Sequence, residues 1–342
     1  MLRLERVDLA DVDWAQLDAF GDRSVFQTRP WLDFLVATQG GEPVVARIAD
    51  GSQTVGWFSG LVVRRFGLRI LGSPFKGWTS GPMGFNLVDG VSRREATEAL
   101  FRFAFKDLGC VHAELLDRRL DFGDAAAVGA QQSTAHTFEI DLTREEDEMF
   151  AAMSSSCRRA VRKSEKVGVQ VELASPEGFA DEYYAQLEDV FAKQELSPPY
   201  SVERVRELIR CVEPSGHLLL LRARSAEGES AATAIFPIFN DFGYFWGGAS
   251  WRSHQIIRPN EAIFWHAMRE LKARGVPTMD LGGGGDYKRK YGVRAADRPF
   301  LRKSRVRGME TLRNAAAQLY WRAATRRRAP QGPSLNRQHG AE

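Results

Sequence analysis

Hydrophobic and polar positions alternate along the first half of the chain in the pattern of a mixed α/β protein. Short apolar runs predict strands over 43–49 and 54–63, which an Asp-Gly pair joins as a hairpin. A further strand and a loop rich in glycine and aromatic residues occupy 66–85. Apolar residues at helical spacing predict an amphipathic helix over 92–108, and a short strand over 111–116 follows it.

The second half of the chain repeats this order. Strands are predicted over 217–223, 231–240 and 243–250, and an acidic turn with a central glycine separates the first two. A helix over 260–274 and a strand over 278–281 complete the repeat. The recurrence predicts an internal duplication, with mixed sheets that carry helices on their faces.

Helices are also predicted between the two repeats. One is expected to begin at Thr143 as N-cap, because acidic residues fill its first turn, and to run through Met153 into the basic stretch 158–163. Two more are expected over 179–194 and 201–211. The basic side chains of the first helix could bind a diphosphate or tRNA, or could simply be solvated.

Composition agrees with a globular protein and excludes several other classes. The chain has 342 residues, of which 44% are hydrophobic and 27% charged, as in ordinary soluble proteins of two domains. A membrane-spanning helix needs about 20 consecutive apolar residues, and no apolar run in the sequence is close to that length. The N-terminus lacks the apolar stretch of a secretion signal. The three cysteines are far apart, which predicts a reducing cytoplasm and neither disulfides nor a zinc site.

Positive charge is concentrated near the C-terminus. The segment 302–328 holds nine basic residues and one acid, although the formal net charge of the whole chain is only +3. Such a segment favours phosphate-rich partners, namely RNA, anionic lipid or a phosphorylated substrate; a solvated helix is the alternative. Apolar residues line one side of 309–328, and Tyr320 and Trp321 stand beside arginines, which suits peripheral contact with a membrane or packing on the second domain.

Four motifs carry a family resemblance. They are FQTRPW at 26–31, CRRAVRKSEKVGV at 157–169, PNEAIFW at 259–265, and DLGG followed by YKRKYG within 280–292. In this order they resemble the FemABX-type peptidyltransferases and their relatives, the acetyltransferase-6 proteins. The resemblance covers roughly residues 20–305. It implies an α/β chain of two tandem GNAT domains, expected over 1–142 and 143–308, with a basic tail over 309–342.

The same resemblance implies a function. Such a protein would transfer an acyl or aminoacyl group to an amine of a cell-envelope, peptidoglycan or exopolysaccharide precursor, with aminoacyl-tRNA or an acyl-CoA as donor and no tightly bound cofactor. The acceptor would be a small or a lipid-linked amine. The usual pyrophosphate signature of acetyl-CoA enzymes is absent, since 252–257 reads RSHQII. Two alternatives stay open: an acetyl-CoA-dependent enzyme acting on an amino sugar or other small amine, and a non-catalytic RNA- or lipid-binding protein.

Candidate catalytic and phosphate-binding residues lie at the end of the second repeat. Asp280, at a strand end, is expected to orient the amine or take its proton, with Lys288 beside it. Glycines let a backbone approach a ligand closely and leave N–H groups free for anions. The donor phosphates are therefore assigned to Gly283, Gly284, Gly285, Lys288 and Lys290. Alternatively Asp280 caps a turn, and the lysines are surface charges.

Substrate contacts are predicted from both halves of the chain. The candidates are Lys76, Trp78, Arg158, Arg162, Tyr244, Asn260 and Tyr287. Structural roles compete with this assignment: Trp78 could pack, Asn260 could cap the helix that begins there, and Glu261 would then be a surface acid in its first turn. No sequence pattern typical of a metal site or of a Ser/His/Asp or Cys/His nucleophile is present, so neither metal nor covalent catalysis is predicted.

Overall fold

The computed structural model describes residues 1–192, 195–283 and 285–305. The strands are β1 (Arg3–Val7), β2 (Glu42–Asp50), β3 (Gln53–Arg65), β4 (Leu68–Ser73), β5 (Gly84–Leu87), β6 (His112–Leu116), β7 (Gln131–Ala135), β8 (Phe138–Asp141), β9 (Gln170–Leu173), β10 (Leu218–Arg224), β11 (Ser230–Phe239), β12 (Phe242–Tyr244), β13 (Gly247–Ser250), β14 (Thr278–Asp280), β15 (Arg294–Ala295) and β16 (Arg298–Ser304). The α-helices are α1 (Trp14–Asp18), α2 (Arg29–Gln39), α3 (Arg93–Lys106), α4 (Phe122–Ala127), α5 (Glu146–Ala152), α6 (Ser155–Lys166), α7 (Phe179–Ala192), α8 (Val202–Val212) and α9 (Pro259–Ala273).

The strands form two mixed sheets with the same internal pairing. In the first sheet β3 is antiparallel to β2, β4 and β5, and β4 is parallel to β6. In the second sheet β11 is antiparallel to β10, β12 and β13, and β12 is parallel to β14. Helix α3 and helix α9 stand at equivalent places in the two repeats. The predicted α/β class and the duplicated order of elements are confirmed.

The last strand of each half is exchanged. Strand β8 follows the first repeat in sequence, yet it pairs with β14 in the second sheet. Strand β16 follows the second repeat, yet it lies between β6 and β7 in the first sheet. Sheet membership therefore does not follow the division at residue 142, and residues 1–303 form one compact unit. The division into 1–142 and 143–308 stays a prediction, and the tail 309–342 lies outside the described residues.

An aromatic core joins the two halves. Phe26, which begins the first motif, is fully buried and contacts the rings of Trp31 at 4.8 Å, Tyr244 at 5.1 Å and Phe242 at 6.2 Å. Helix α2 also packs against α8. Because these aromatic rings come from both halves of the chain, burial of their apolar surface stabilises the contact between the halves.

The helix predicted from Thr143 is wrong in its extent, because two helices stand there. Helix α5 begins after Glu145, and the backbone at Met153 is extended. The side chain of Ser154 then accepts a hydrogen bond from the Cys157 N–H at 3.2 Å and starts α6. A serine that caps a new helix breaks a run that helical periodicity alone would continue.

A buried ionic cluster ties the exchanged strands together. The guanidinium of Arg298, on β16, donates hydrogen bonds to Glu139 on β8 and, at 3.4 Å, to Asp280 on β14. The three side chains are between 2% and 9% exposed. Arg294 contacts the same Glu139 at 3.1 Å, but its side chain is 66% exposed. One buried arginine therefore pairs with two buried carboxylates.

Replacing Arg298 tests this cluster. Arg298→Ala leaves Asp280 without its buried arginine and Glu139 with only the exposed Arg294. We therefore expect the free energy of unfolding to fall by about 3–5 kcal/mol. The matched control Arg294→Ala removes the exposed partner of Glu139 and should cost under about 1 kcal/mol. Urea denaturation followed by circular dichroism measures both. Equal losses for the two variants would show that the cluster does not hold the exchanged strands.

Candidate functional site

A wedge opens in the second sheet where β12 passes into β13. The N–H of Phe245 donates to the carbonyl of Asp280 on β14 at 2.8 Å, whereas the N–H of Trp246 donates to Ile235 on β11 at 3.0 Å. From that point β13 pairs with β11 alone among the described strands. The strand predicted over 243–250 is therefore broken, and the edge of β13 that faces β14 is unpaired.

A cavity of about 300 Å³ fills this wedge. Its apolar wall includes Ala234, Phe245, Ile263 and Phe264. Its polar members are Ser250, Gln255, Asn260, Glu261, Tyr287 and Lys290. Helix α9 begins at this cavity, and the first N–H groups of a helix lack intrahelical partners and carry partial positive charge. The cavity thus combines an apolar wall, a free strand edge and an anion-attracting helix terminus.

An ion pair lies in the wall of the cavity. The Lys290 ammonium donates to a carboxylate oxygen of Glu261 at 2.7 Å, and the two side chains are 29% and 11% exposed. Glu261 is therefore buried, and the alternative of a surface acid in the first turn is wrong. The pairing also keeps this carboxylate from opposing an anion at the start of α9, because Lys290 neutralises it.

Asn260 joins the start of α9 to β13. Its amide Nδ2 donates to the hydroxyl of Ser250 at 3.0 Å. The residue before the helix is Arg258, which has a left-handed φ of 62°, and Pro259 takes the first helical position. The alternative of Asn260 as N-cap is wrong, and its predicted substrate contact stays a prediction that its place in the cavity wall supports.

Tyr287 contributes to the wall of the cavity. It lies on the 3-10 turn Asp286–Tyr291 and is 53% exposed. Partial burial raises its pKa above the ordinary tyrosine value, so the phenol is protonated at neutral pH. Tyr291, on the same turn, is buried and stacks on Phe264 with ring centres 4.3 Å apart, which anchors the turn against α9.

Lys288 and Asp280 point into the protein around the glycine loop. The Lys288 ammonium donates to the carbonyls of Leu281 at 2.6 Å and Gly283 at 3.0 Å, and burial lowers its pKa. Burial also raises the pKa of Asp280, while Arg298 acts in the opposite direction. Neither side chain lines the cavity. Their catalytic and phosphate-binding roles stay predictions, since the contacts seen are those of structural supports.

The glycine loop is described only in part. Gly284 lies outside the described residues. Gly283 accepts a hydrogen bond from Lys288 through its carbonyl. Gly285 has a φ of 77°, and a Cβ placed there would lie 2.5 Å from the ring of Tyr287. A larger residue at 285 would therefore displace that ring, which gives this glycine a steric role beside its predicted contact with phosphate.

Four more candidates lie away from the cavity. Arg158 donates to the carbonyl of Ala151 at 2.8 Å at the end of α5, and Arg162 lies 5.3 Å from the ring of Phe150. Tyr244 packs on Phe26 in the shared core, and burial raises its pKa. Trp78 packs on Phe75 with ring centres 4.8 Å apart. Their substrate contacts stay predictions, and the structural alternative stated for Trp78 agrees with its position.

Lys76 belongs to the loop that meets the second half of the chain. Its side chain is exposed, while its backbone N–H donates to Glu114 at 3.0 Å. Further along this loop, the carbonyl of Thr79 accepts a hydrogen bond from the Trp246 indole at 3.2 Å. The loop therefore contacts the residue at which β13 turns away from β14, and the substrate contact of Lys76 stays a prediction.

The equivalent wedge in the first half is closed. It would lie between β5, the end of β6 and the start of α3. There Asp117 accepts a hydrogen bond from the Phe85 N–H at 2.8 Å and two from Arg93 at 2.7 and 2.8 Å. Arg93 also pairs with Asp22. Only about 10 Å³ of space is left, so of the two equivalent places the second half alone offers room for a ligand.

Comparisons with known proteins agree with this asymmetry. Residues 151–291, which include the cavity, match the family model Acetyltransf_6, described as an acetyltransferase (GNAT) domain. No curated protein matches the sequence. The structure of FemX superimposes with a TM-score of 0.71 at 13% identity, over 87% of this chain and 97% of that one.

Two further structures share the fold. A tandem GNAT protein from the clavulanic acid biosynthesis pathway gives a TM-score of 0.53 at 14% identity, over 89% of this chain and 98% of that one. L-PGS from Bacillus licheniformis gives 0.51 at 12% identity, over 84% and 94%. Residues 151–291 thus carry an acetyltransferase (GNAT) domain, and the chain has the fold of tandem GNAT proteins. Its resemblance to the FemABX-like tandem GNAT proteins is confirmed, with the acetyltransferase domain in the second half.

No described helix has both the length and the apolar character needed to cross a bilayer.

Proposed function

We propose that the protein is an N-acyltransferase that binds an acyl-CoA in the wedge between β13 and β14 and transfers the acyl group to an amine. The observation that carries this proposal is the cavity of about 300 Å³ at the start of α9, in the half that matches the acetyltransferase model. The equivalent wedge of the first half is closed, so we place no donor site there.

The free strand edge, the helix terminus and the apolar wall of the cavity suit the extended arm, the phosphates and the acyl chain of an acyl-CoA, respectively. The unpaired edge of β13 can form hydrogen bonds with the amide groups of an extended arm, as a neighbouring strand would. The first N–H groups of α9 suit phosphates. The apolar wall, with Phe245 and Ile263, suits the acyl chain. This donor is preferred over aminoacyl-tRNA, for which the described residues offer no comparable set of contacts.

The transfer needs one group that takes a proton and one that gives a proton. The amine attacks the thioester carbonyl, a C–N bond forms, and the C–S bond breaks as the tetrahedral intermediate collapses. Tyr287, whose phenol is protonated at neutral pH, is placed to give its proton to the departing thiolate. Glu261 carries the one carboxylate among the described lining residues and is placed to accept the proton of the amine.

The acceptor is proposed to be an amine of a cell-envelope, peptidoglycan or exopolysaccharide precursor, free or lipid-linked. The FemABX-like resemblance supports it, as does the loop of Lys76 and Trp78, which meets the second half beside the wedge. The acetyl-CoA-dependent enzyme acting on an amino sugar is the simplest form of this function. Cytoplasmic location stays a prediction, as does membrane contact through 309–328.

Donor binding can be tested by placing a larger side chain in the cavity of the wedge. We expect acetyl-CoA at 100 times its Kd to stabilise the protein by about 2.7 kcal/mol in a thermal-shift assay. Gly248→Leu should abolish the shift, because a Cβ at Gly248 already lies 3.1 Å from the ring of Phe245 in the cavity wall. Gly21→Leu is the matched control, since nothing lies within 4 Å of a Cβ there.

The same assay separates the rival donors. Stabilisation by CoA that Gly248→Leu removes and Gly21→Leu retains supports the proposed site. Salt-sensitive stabilisation by charged tRNA, without any effect of CoA, would favour aminoacyl transfer, because phosphate contacts release counterions. If neither compound stabilises the protein, the non-catalytic alternative replaces the enzyme.

The role of Tyr287 predicts a kinetic effect without a binding effect. Tyr287→Phe removes only the hydroxyl group, so we expect kcat to fall by about 10²–10⁴-fold while CoA affinity stays the same. Release of free thiol in the presence of an amino-sugar panel measures kcat. Tyr184→Phe, on α7 and outside the cavity lining, is the control and should keep full activity. Unchanged kcat in Tyr287→Phe would exclude it as the proton donor.

A further inference from the structure

The hairpin between β3 and β4 ends in a fully exposed aromatic ring. Phe66 and Gly67 form its two-residue turn, and both have positive φ, at 50° and 77°. The side chain of Phe66 is 100% exposed, and the adjacent Leu68 is 44% exposed. Turns of this kind favour Asn-Gly, because a left-handed φ strains most other residues. Neither the turn nor the core explains a phenylalanine at this position.

Arginines flank the ring on both strands. Arg64 stands directly opposite Arg69 in the hairpin, and Arg65 stands opposite Leu68. Arg69 lies 3.3 Å from Glu42, but that carboxylate also pairs with Arg6 at 2.7 Å. Arg64 and Arg65 are exposed, and within the described residues neither lies within 4.0 Å of a carboxylate, although Arg64 is near enough to Glu42 to help lower the pKa of that acid. Like charges placed opposite each other destabilise a hairpin, so this arrangement favours an external anion.

More positive charge reaches the same end of the first sheet. Strand β4 runs parallel to β6, and the turn precedes β4. Strand β16 begins near the far end of β6, where Arg298 donates to the carbonyl of Arg118 at 3.2 Å. It therefore runs toward the hairpin end, where Lys303 lies 5.4 Å from the ring of Phe101 on α3.

We propose that this hairpin tip docks on an anionic lipid surface, with Phe66 entering the interface and Arg64 and Arg65 contacting lipid phosphates. The tip carries one aromatic residue between cations. An anionic bilayer has an apolar acyl-chain region beneath negatively charged headgroups, so the ring suits the first layer and the arginines suit the second. A protein partner would instead need a pocket for the ring and a broader apolar surround than Leu68 alone provides. The proposal does not depend on the acyltransferase reaction.

Sedimentation of the full chain with lipid vesicles tests the proposal. The vesicles are phosphatidylcholine alone, or phosphatidylcholine with about a quarter phosphatidylglycerol, and binding is expected only to the second. Phe66→Asn should lower the partition coefficient by about tenfold or more, since a buried phenylalanine contributes that much to transfer. Asparagine suits the turn, so this variant cannot lose binding by misfolding. Leu173→Ser, at a residue 56% exposed on β9, is the matched control and should bind normally.

Two further measurements decide the source of binding. Arg64→Gln with Arg65→Gln should also lower binding to the anionic vesicles, and Phe66→Trp should gain fluorescence quenched by brominated lipid, over the background of the eight native tryptophans. If Phe66→Asn binds as tightly as the unchanged chain, the tail or another surface binds the lipid and the proposal is wrong. The proposal is also wrong if the unchanged chain binds neither kind of vesicle. That result would instead favour a protein partner at the hairpin tip.

Discussion

Two consecutive backbone donors set the geometry of the second half. The N–H of Phe245 donates a hydrogen bond to β14, whereas the N–H of Trp246 donates to β11. The sheet must therefore split at this point. A split sheet leaves the edge of β13 without a partner, which is unfavourable unless another chain or a ligand supplies hydrogen bonds. The cavity lies where the sheet divides, and the first turn of α9 and Tyr287 contribute to its wall.

The first half shows what the same topology does when the space is filled. Asp117 stands just after β6, much as the glycine loop stands just after β14, and its carboxylate occupies the wedge with Arg93. In the second half, Leu281 and the glycines follow the strand, and the Lys288 ammonium donates hydrogen bonds to the carbonyls of Leu281 and Gly283. One pattern of pairing therefore gives a closed wedge or an open one, according to the side chain after the strand.

The sequence was sufficient for the order of the elements, their duplication and the family resemblance, because all three depend on local periodicity and short motifs. It was not sufficient for contacts between distant strands. The exchange of β8 and β16, the split at Phe245 and the burial of Glu261 depend on which strands meet, and periodicity carries no information about that. Asp280 ends a strand and Lys288 follows in the next turn. At such positions a buried support and a catalytic group have the same sequence signature.

The exchange of strands explains why a buried ionic cluster stands so close to the proposed donor site. Arg298 lies on β16 in the first sheet and donates a hydrogen bond to Asp280. Asp280 is the last residue of β14, the strand from which β13 diverges. Because one carboxylate is shared between the cluster and that strand, the position of β14 depends on the first sheet. The wedge is thus held open by contacts that span both halves, and neither half alone contains all the groups that define it.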